Sequence, residues 1–151
     1  MPRDGSTVLQ ASTDEVAGRW HSMRLLHWQV SETLEHALQE KFDLSLSEYI
    51  ALAVLDASDD NGHLRQQVLA SAIPLNQSSL SRLVTRLEKA GLTERYMCET
   101  DRRGVYTQIT AAGCALVAQA HEVYQRILNE ALDAAAADPQ LAQLVDKIRQ
   151  P

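Results

Sequence analysis

Apolar positions recur along most of this chain at intervals of three and four. The clearest run is Leu80, Leu83, Val84, Leu87 and Ala90, a single stripe at helical period. At about 100° per residue, the opposite side carries Ser78, Arg82, Thr85 and Lys89, with Ser81 and Arg86 flanking them. Ser79 falls off that outward side and reads as helix-start polarity. Asn76 predicts the N-cap of this helix and Gly91 its left-handed end. Upstream, Val16, Trp20, Met23, His27, Val30, Leu34, Ala37 and Lys41 follow the same spacing. They predict a long helix opened by Thr13, with Asp14 and Glu15 in its first turn. Such a helix is too long to bury against a small domain alone, so it predicts a partner helix. Ser45 or Ser47 then caps a second helix running to about Ala57, with Tyr49, Leu52, Ala53 and Leu55 available for burial. "SDDNG" is a turn, and "HLRQQVLASAI" is expected to be a short third helix stopped before Pro74.

Past Gly91 the pattern shortens. "LTERYMC" and "VYTQIT" are rich in β-branched and aromatic residues and are separated by "ETDRRG", which predicts a hairpin with a charged tip. Thr110 caps a long Ala-rich helix from Ala111 to about Ala136, carrying Leu116, Ala120, Val123, Ile127, Leu128 and Ala131. "ADP" breaks it, and a last short helix carries Leu141, Leu144, Val145 and Ile148. The chain has no internal repeat. The expected fold is mainly α with a small β-hairpin. Residues 14–41 with 111–149 form a helical region, and 45–110 form a winged helix-turn-helix lobe.

Composition narrows the class. The 151 residues are 45% hydrophobic and 23% charged, which suits one globular domain with a real core. "MPRDGSTVLQ" lacks the apolar core of a signal peptide, and no uninterrupted apolar run reaches bilayer length. A cytoplasmic chain without a membrane partner is expected. The net charge is −6, yet the charges are uneven. Between His63 and Gly104, Arg65, Arg82, Arg86, Lys89, Arg95, Arg102 and Arg103 outnumber Glu88, Glu94, Glu99 and Asp101. A basic patch on an acidic chain is the footprint of a nucleic-acid site. A helix fits the major groove, where hydroxyl and guanidinium groups reach base edges and phosphates. A hairpin tip with Arg reaches the adjacent minor groove.

The segments "SLSEYIALAVL", "SSLSRLVTRLEKAGLTER" and "DRRGVYTQITAAG" resemble the second helix, recognition helix and wing of the MarR (multiple antibiotic resistance regulator) family. R-L-E-K-x-G-L, followed by D-x-R and then T-x-x-G, is specific in combination. The resemblance covers about residues 14 to 149. It implies a homodimer with interlocked terminal helices, acting as a transcriptional regulator, expected to be a repressor, on a palindromic DNA operator. It also implies release by a small phenolic or other aromatic effector. By position, Arg103 corresponds to the wing arginine that enters the minor groove, and Asp101 to the acid that orients it. Ser78, Ser81, Arg82, Thr85 and Arg86 fall on the recognition helix. Two departures stand out. Ile73-Pro74 occupies the turn where Gly is common in helix-turn-helices, and no ligand motif is evident.

Other chemistry is set aside. His21, His27, His36, His63 and His121 do not share metal-ligand spacing. No nucleophile elbow, phosphate-binding loop or metalloprotease helix is present, so no enzyme, metal or cofactor is expected. Trp20, Arg24, His27 and Trp28 cluster on the first long helix, where flat apolar surface and a cation suit an aromatic carboxylate. Tyr49 is a further candidate. Two rival functions stand beside ligand sensing. One is thiol redox sensing by Cys98 and Cys114, whose sequence neighbours supply no adjacent cation to lower a thiol pKa. The other is a winged-helix protein-interaction module that never touches DNA. Its signature would be acids or apolar residues where Arg82 and Lys89 stand.

Overall fold

The computed structural model describes residues 15–58, 62–98 and 101–151, without the side chains of His63, Arg65, Cys98 and residues 101–103. The elements are α1 (Val16–Phe42), α2 (Leu46–Asp56), β1 (His63–Arg65), α3 (Gln66–Ala72), α4 (Gln77–Lys89), β2 (Thr93–Cys98), β3 (Asp101–Ile109), α5 (Ala111–Ala136) and α6 (Pro139–Arg149). They fall into two compact units, residues 38–124 and residues 1–37 with 125–151. The expected cap at Thr13 lies outside the described residues.

The 38–124 unit is organised by local stop and start signals. Ser45 Oγ accepts the Glu48 amide at 3.0 Å and starts α2. Asn76 Oδ1 accepts the Ser79 amide at 2.8 Å and starts α4. At the other end of α4, Gly91 takes φ 74°. Its amide donates to Glu88 O, and the Leu92 amide donates to Leu87 O, each at 3.0 Å. This paired closure satisfies carbonyls that the helix leaves open. Thr110 Oγ1 accepts the Gly113 amide at 3.1 Å and donates to Gly91 O at 2.7 Å, so one hydroxyl starts α5 and ties it to the end of α4. The stripe of α4 is buried as Leu80, Leu83, Val84 and Leu87, while Ala90 stays exposed. It packs in one core with Leu52 and Leu55 of α2, Leu69 of α3, Ile109 of β3 and Val117 and Ala120 of α5. Burial of this apolar surface is what holds α4 in place.

The sheet differs from the sequence expectation in two places. It has three strands in the order β1-β3-β2, all antiparallel. His63, Leu64 and Arg65 are not the first turn of a helix; they pair with Gln108, Thr107 and Tyr106. Gly62, at φ 76°, turns the chain into this strand, and its carbonyl accepts the Ile109 amide at 2.9 Å. Three residues are too few to show a period of two. In addition, β3 begins already at Asp101, so "DRRG" is strand backbone, not loop. The register shifts between Met97 and Cys98, a bulge near the hairpin end.

In the other unit, Leu26, Val30 and Leu34 of α1, Leu132 and Ala135 of α5, and Leu141 and Val145 of α6 are buried. Asp138 caps α6 by accepting the Gln140 amide at 2.9 Å, with Pro139 in the first turn. Arg149 closes the helix end on α5 through Asp133 at 2.7 Å and Asn129 O at 3.1 Å. The first half of the α1 stripe is not covered: Val16, Trp20 and Met23 are exposed, as are Trp28 and Ile148. No helix of the described residues is long and apolar enough to cross a membrane.

Candidate nucleic-acid interface and adjoining cavity

The outward face of α4 is built by subtraction. Four apolar side chains turn inward, so Ser78, Ser81, Arg82 and Lys89 are left exposed. Arg82 and Lys89 make no ion pair among the described residues. Thr85 is half-buried, its hydroxyl donating to Ser81 O at 2.9 Å and accepting from Arg95 at 3.4 Å. Arg86 is differently placed. Its guanidinium pairs at 3.0 Å with Glu48 of α2, a carboxylate only 6% exposed, while Arg86 itself is 62% exposed. Glu88, on the same helix, pairs with Arg95 of β2. Arg86 and Arg95 therefore hold α4 against α2 and the wing, and Arg82 and Lys89 are the cations it presents.

Burial pushes the Glu48 carboxyl above its ordinary range, with Arg86 and the hydrogen bonds from Ser45 pulling the other way. Arg86 and the cap at Ser45 satisfy charge and lone pairs that burial would otherwise orphan.

The wing carries Tyr96 and Tyr106 stacked at 5.7 Å between ring centroids. The backbone of Asp101, Arg102 and Arg103 forms the start of β3; their side chains, among them the expected minor-groove arginine Arg103, lie outside the described residues. Beneath the wing, the hydroxyls of Thr93 and Thr107 are buried without a hydrogen-bond partner. A cleft of 660 Å³ separates α3, the start of α4 and β3, with Gln66, Gln67, Gln77 and Ser81 on its walls.

A second cavity, of 750 Å³, lies between α2 and the first turns of α5. Tyr49 is buried there, stacked on Tyr124 at 4.6 Å, with its hydroxyl hydrogen-bonded to His121 Nδ1 at 3.1 Å. Ile50, Ala53, Val54 and Val117 supply apolar wall, and Asp56 and Glu122 supply carboxylates. Burial, and next the neighbouring Tyr124, raise the Tyr49 pKa. Cys114 is half-buried in the same unit. Burial raises its thiol pKa, as do the hydrogen bond to Asp56 and the charge of that carboxylate. A thiol held protonated is a poor nucleophile and a poor peroxide sensor. Cys98 belongs to the undescribed side chains.

Of the four expected ligand residues, Tyr49 lines this cavity. Trp20, Arg24 and His27 belong to the other unit and are exposed on α1, where His27 Nε2 lies 3.5 Å from Ser31 Oγ. His121 and Tyr124 were not singled out from the sequence as ligand residues. Their signal was available: they are three apart on α5, facing the same way as Val117 and Ala120.

Residues 42–104 match the model of the MarR family. That span runs from the end of α1 through the helix-turn-helix into the wing. Over that span, and in fold, the chain is similar to MarR-family regulators. The curated relatives it matches are transcriptional regulators. The chain is 34% identical over 92 residues to the transcriptional regulator PecS of Dickeya dadantii, covering 59% of the chain but only 55% of PecS. It is 28% identical over 131 residues to the transcriptional regulator HosA of Escherichia coli O157:H7, covering 85% of the chain and 93% of HosA. Among solved structures it is similar to the MarR-family regulator Sco3205 of Streptomyces coelicolor, determined in complex with DNA. That likeness has a TM-score of 0.72 and 25% identity, and covers 86% of this chain and 81% of Sco3205.

Proposed function

We propose that the chain acts as a homodimeric repressor on an inverted-repeat DNA site and that a small aromatic effector releases it. The observation that carries the reading is the outward face of α4, where Ser78, Ser81, Arg82 and Lys89 are exposed and both cations are free of ion pairs among the described residues. Short polar groups let the helix backbone approach a groove, and unpaired cations meet phosphates and guanine edges. The glutamines beside the 660 Å³ cleft add uncharged donors in the same lobe. Arg103, oriented by Asp101, extends the contact into the minor groove, an assignment that rests on the family resemblance, and Arg102 adds a further cation for DNA. A chain of this kind works where the DNA is, in the cytoplasm.

Dimerisation follows from the uncovered half of the α1 stripe. Val16, Trp20 and Met23 stand at helical spacing on one side, and apolar residues in such numbers call for a covering partner. The effector site in this reading is the cavity between α2 and α5. Aromatic walls, apolar lining and a few polar groups are the usual composition of a small-molecule site.

The test is selection of bound duplexes from a random pool, followed by titration of aromatic compounds against the selected DNA. An inverted repeat with half-sites about one helical turn apart is expected. Selected sequences without dyad symmetry would refute the dimeric reading. The reading of an interaction module without DNA contact would place acids or apolar residues where Arg82 and Lys89 stand, and the burial that raises the Cys114 pKa does not favour a reactive thiolate at that residue.

A further inference from the structure

The charge of the α2–α5 cavity names a ligand class, and this inference rests on the effector reading above. Most of the lining is apolar, and Tyr49 and Tyr124 present stacked rings. Among the described residues, the ionisable groups on its walls besides the tyrosines are Asp56, Glu122 and His121, with no Lys or Arg. His121 is already engaged with the Tyr49 hydroxyl. Asp56 takes the Cys114 thiol as a hydrogen-bond donor, which occupies one of its acceptor sites and leaves others open. An aromatic carboxylate entering here would bring a negative charge toward two others on a chain of net charge −6. An ammonium would meet two countercharges, and the ring that carries it would meet apolar and aromatic wall.

We propose that the cavity between α2 and α5 binds a protonated aromatic amine, its ring packed among Tyr49, Tyr124 and Val117 and its ammonium paired with Asp56 and Glu122.

The experiment uses the full chain and three probes with one ring and different charge: 2-phenylethylamine, 3-phenylpropionate and the neutral 3-phenyl-1-propanol. Binding is read by calorimetry at pH 7, and DNA release by fluorescence anisotropy on the selected operator. The amine is expected to bind at least about tenfold more tightly than the carboxylate and to release DNA, the size of one charge-assisted contact. In an Asp56→Asn, Glu122→Gln double variant that retains its helical signal and its DNA affinity, the preference should fall to near unity. The wild-type ratio stands as a test even if that variant does not fold. Tighter binding and DNA release by the carboxylate would overturn the charge assignment and leave the effector reading standing. An amine preference that persists in the folded double variant would also overturn it. If no probe alters DNA binding, the effector reading itself fails, and the proposal with it.

Discussion

Arg82 and Arg86 stand one helical turn apart on α4 and face different partners. Arg82 is exposed, with no ion pair among the described residues, whereas Arg86 closes a 3.0 Å pair with the buried Glu48. Arg82→Ala should therefore leave stability within about 0.5 kcal/mol, as surface changes do. It should relax preference at one base position per half-site, costing about 1–3 kcal/mol on the best sequence. Arg86→Ala should instead cost about 1–3 kcal/mol of folding stability, because it strips a buried carboxylate of its charged partner. Thermal melts and affinities of the two variants separate these outcomes. Cys114→Ser should leave DNA affinity unchanged, and peroxide should not release the wild type through that thiol. Anisotropy with and without peroxide checks this, and a peroxide response abolished by the substitution would restore the redox reading. At this scale the sequence was legible wherever the physics is local. Ser45, Asn76, Gly91 and Thr110 punctuate their own neighbours, and each does so in the structure. The partner of Arg86 was not legible, since only the packing of α2 against α4 brings Glu48 to it.

Among the elements, α2 faces two ways. Glu48 ties it to α4, and the next residue, Tyr49, lines the cavity. A ligand that shifts Tyr49 therefore bears on the helix that carries Arg82, and a differential fit to two positions of α2 would couple the sites. Glu48 also gives α2 a pH signature. Its folded pKa lies above 4.5 because of burial, so between 4.5 and that raised value the folded chain binds more protons than the unfolded one. Stability from this group is fully present below 4.5 and is lost as pH rises through the folded pKa. Relative to Glu48→Gln, the wild type should lose ground across that window and then level off, as denaturant titrations at a series of pH values would show. A wild-type advantage that grows with pH would mean that the Arg86 pair outweighs burial. At the start of α5, a Cβ on Gly113 would overlap the Leu92 carbonyl oxygen and fall 2.6 Å from Ile109 Cγ1. Gly113→Ala should destabilise by about 1–3 kcal/mol through overpacking, visible as a lowered denaturation midpoint. The long helices and the hairpin were legible from period, but β1 was not. It is three residues long, and its pairing with β3 is a long-range fact that no local pattern carries.

For the whole molecule, the acidic total hides a local arrangement. Cations concentrate on the 63–104 stretch, and α4 turns two of them outward. The exposed apolar side chains Val16, Trp20 and Met23 belong to the stripe that the sequence shows, and a partner chain covering them is the proposed reading. Met23→Glu should weaken self-association, seen by sedimentation as a shift toward monomer, and should weaken operator binding with it. The cavity between α2 and α5, proposed as the effector site, was only partly legible. Tyr49 was a candidate, but His121, Tyr124, Asp56 and Glu122 come together through the packing of α2 on α5, and they carry no sequence motif.

The central claim is that the outward face of α4 reads DNA. It is tested most directly by fluorescence anisotropy of the wild type and Arg82→Ala on the selected operator and on a scrambled duplex of equal length. The account predicts a loss of roughly 5- to 150-fold on the operator, the equivalent of about 1–3 kcal/mol, with little change on the scrambled duplex. Equal losses on both duplexes, or none on either in a folded protein, would contradict it.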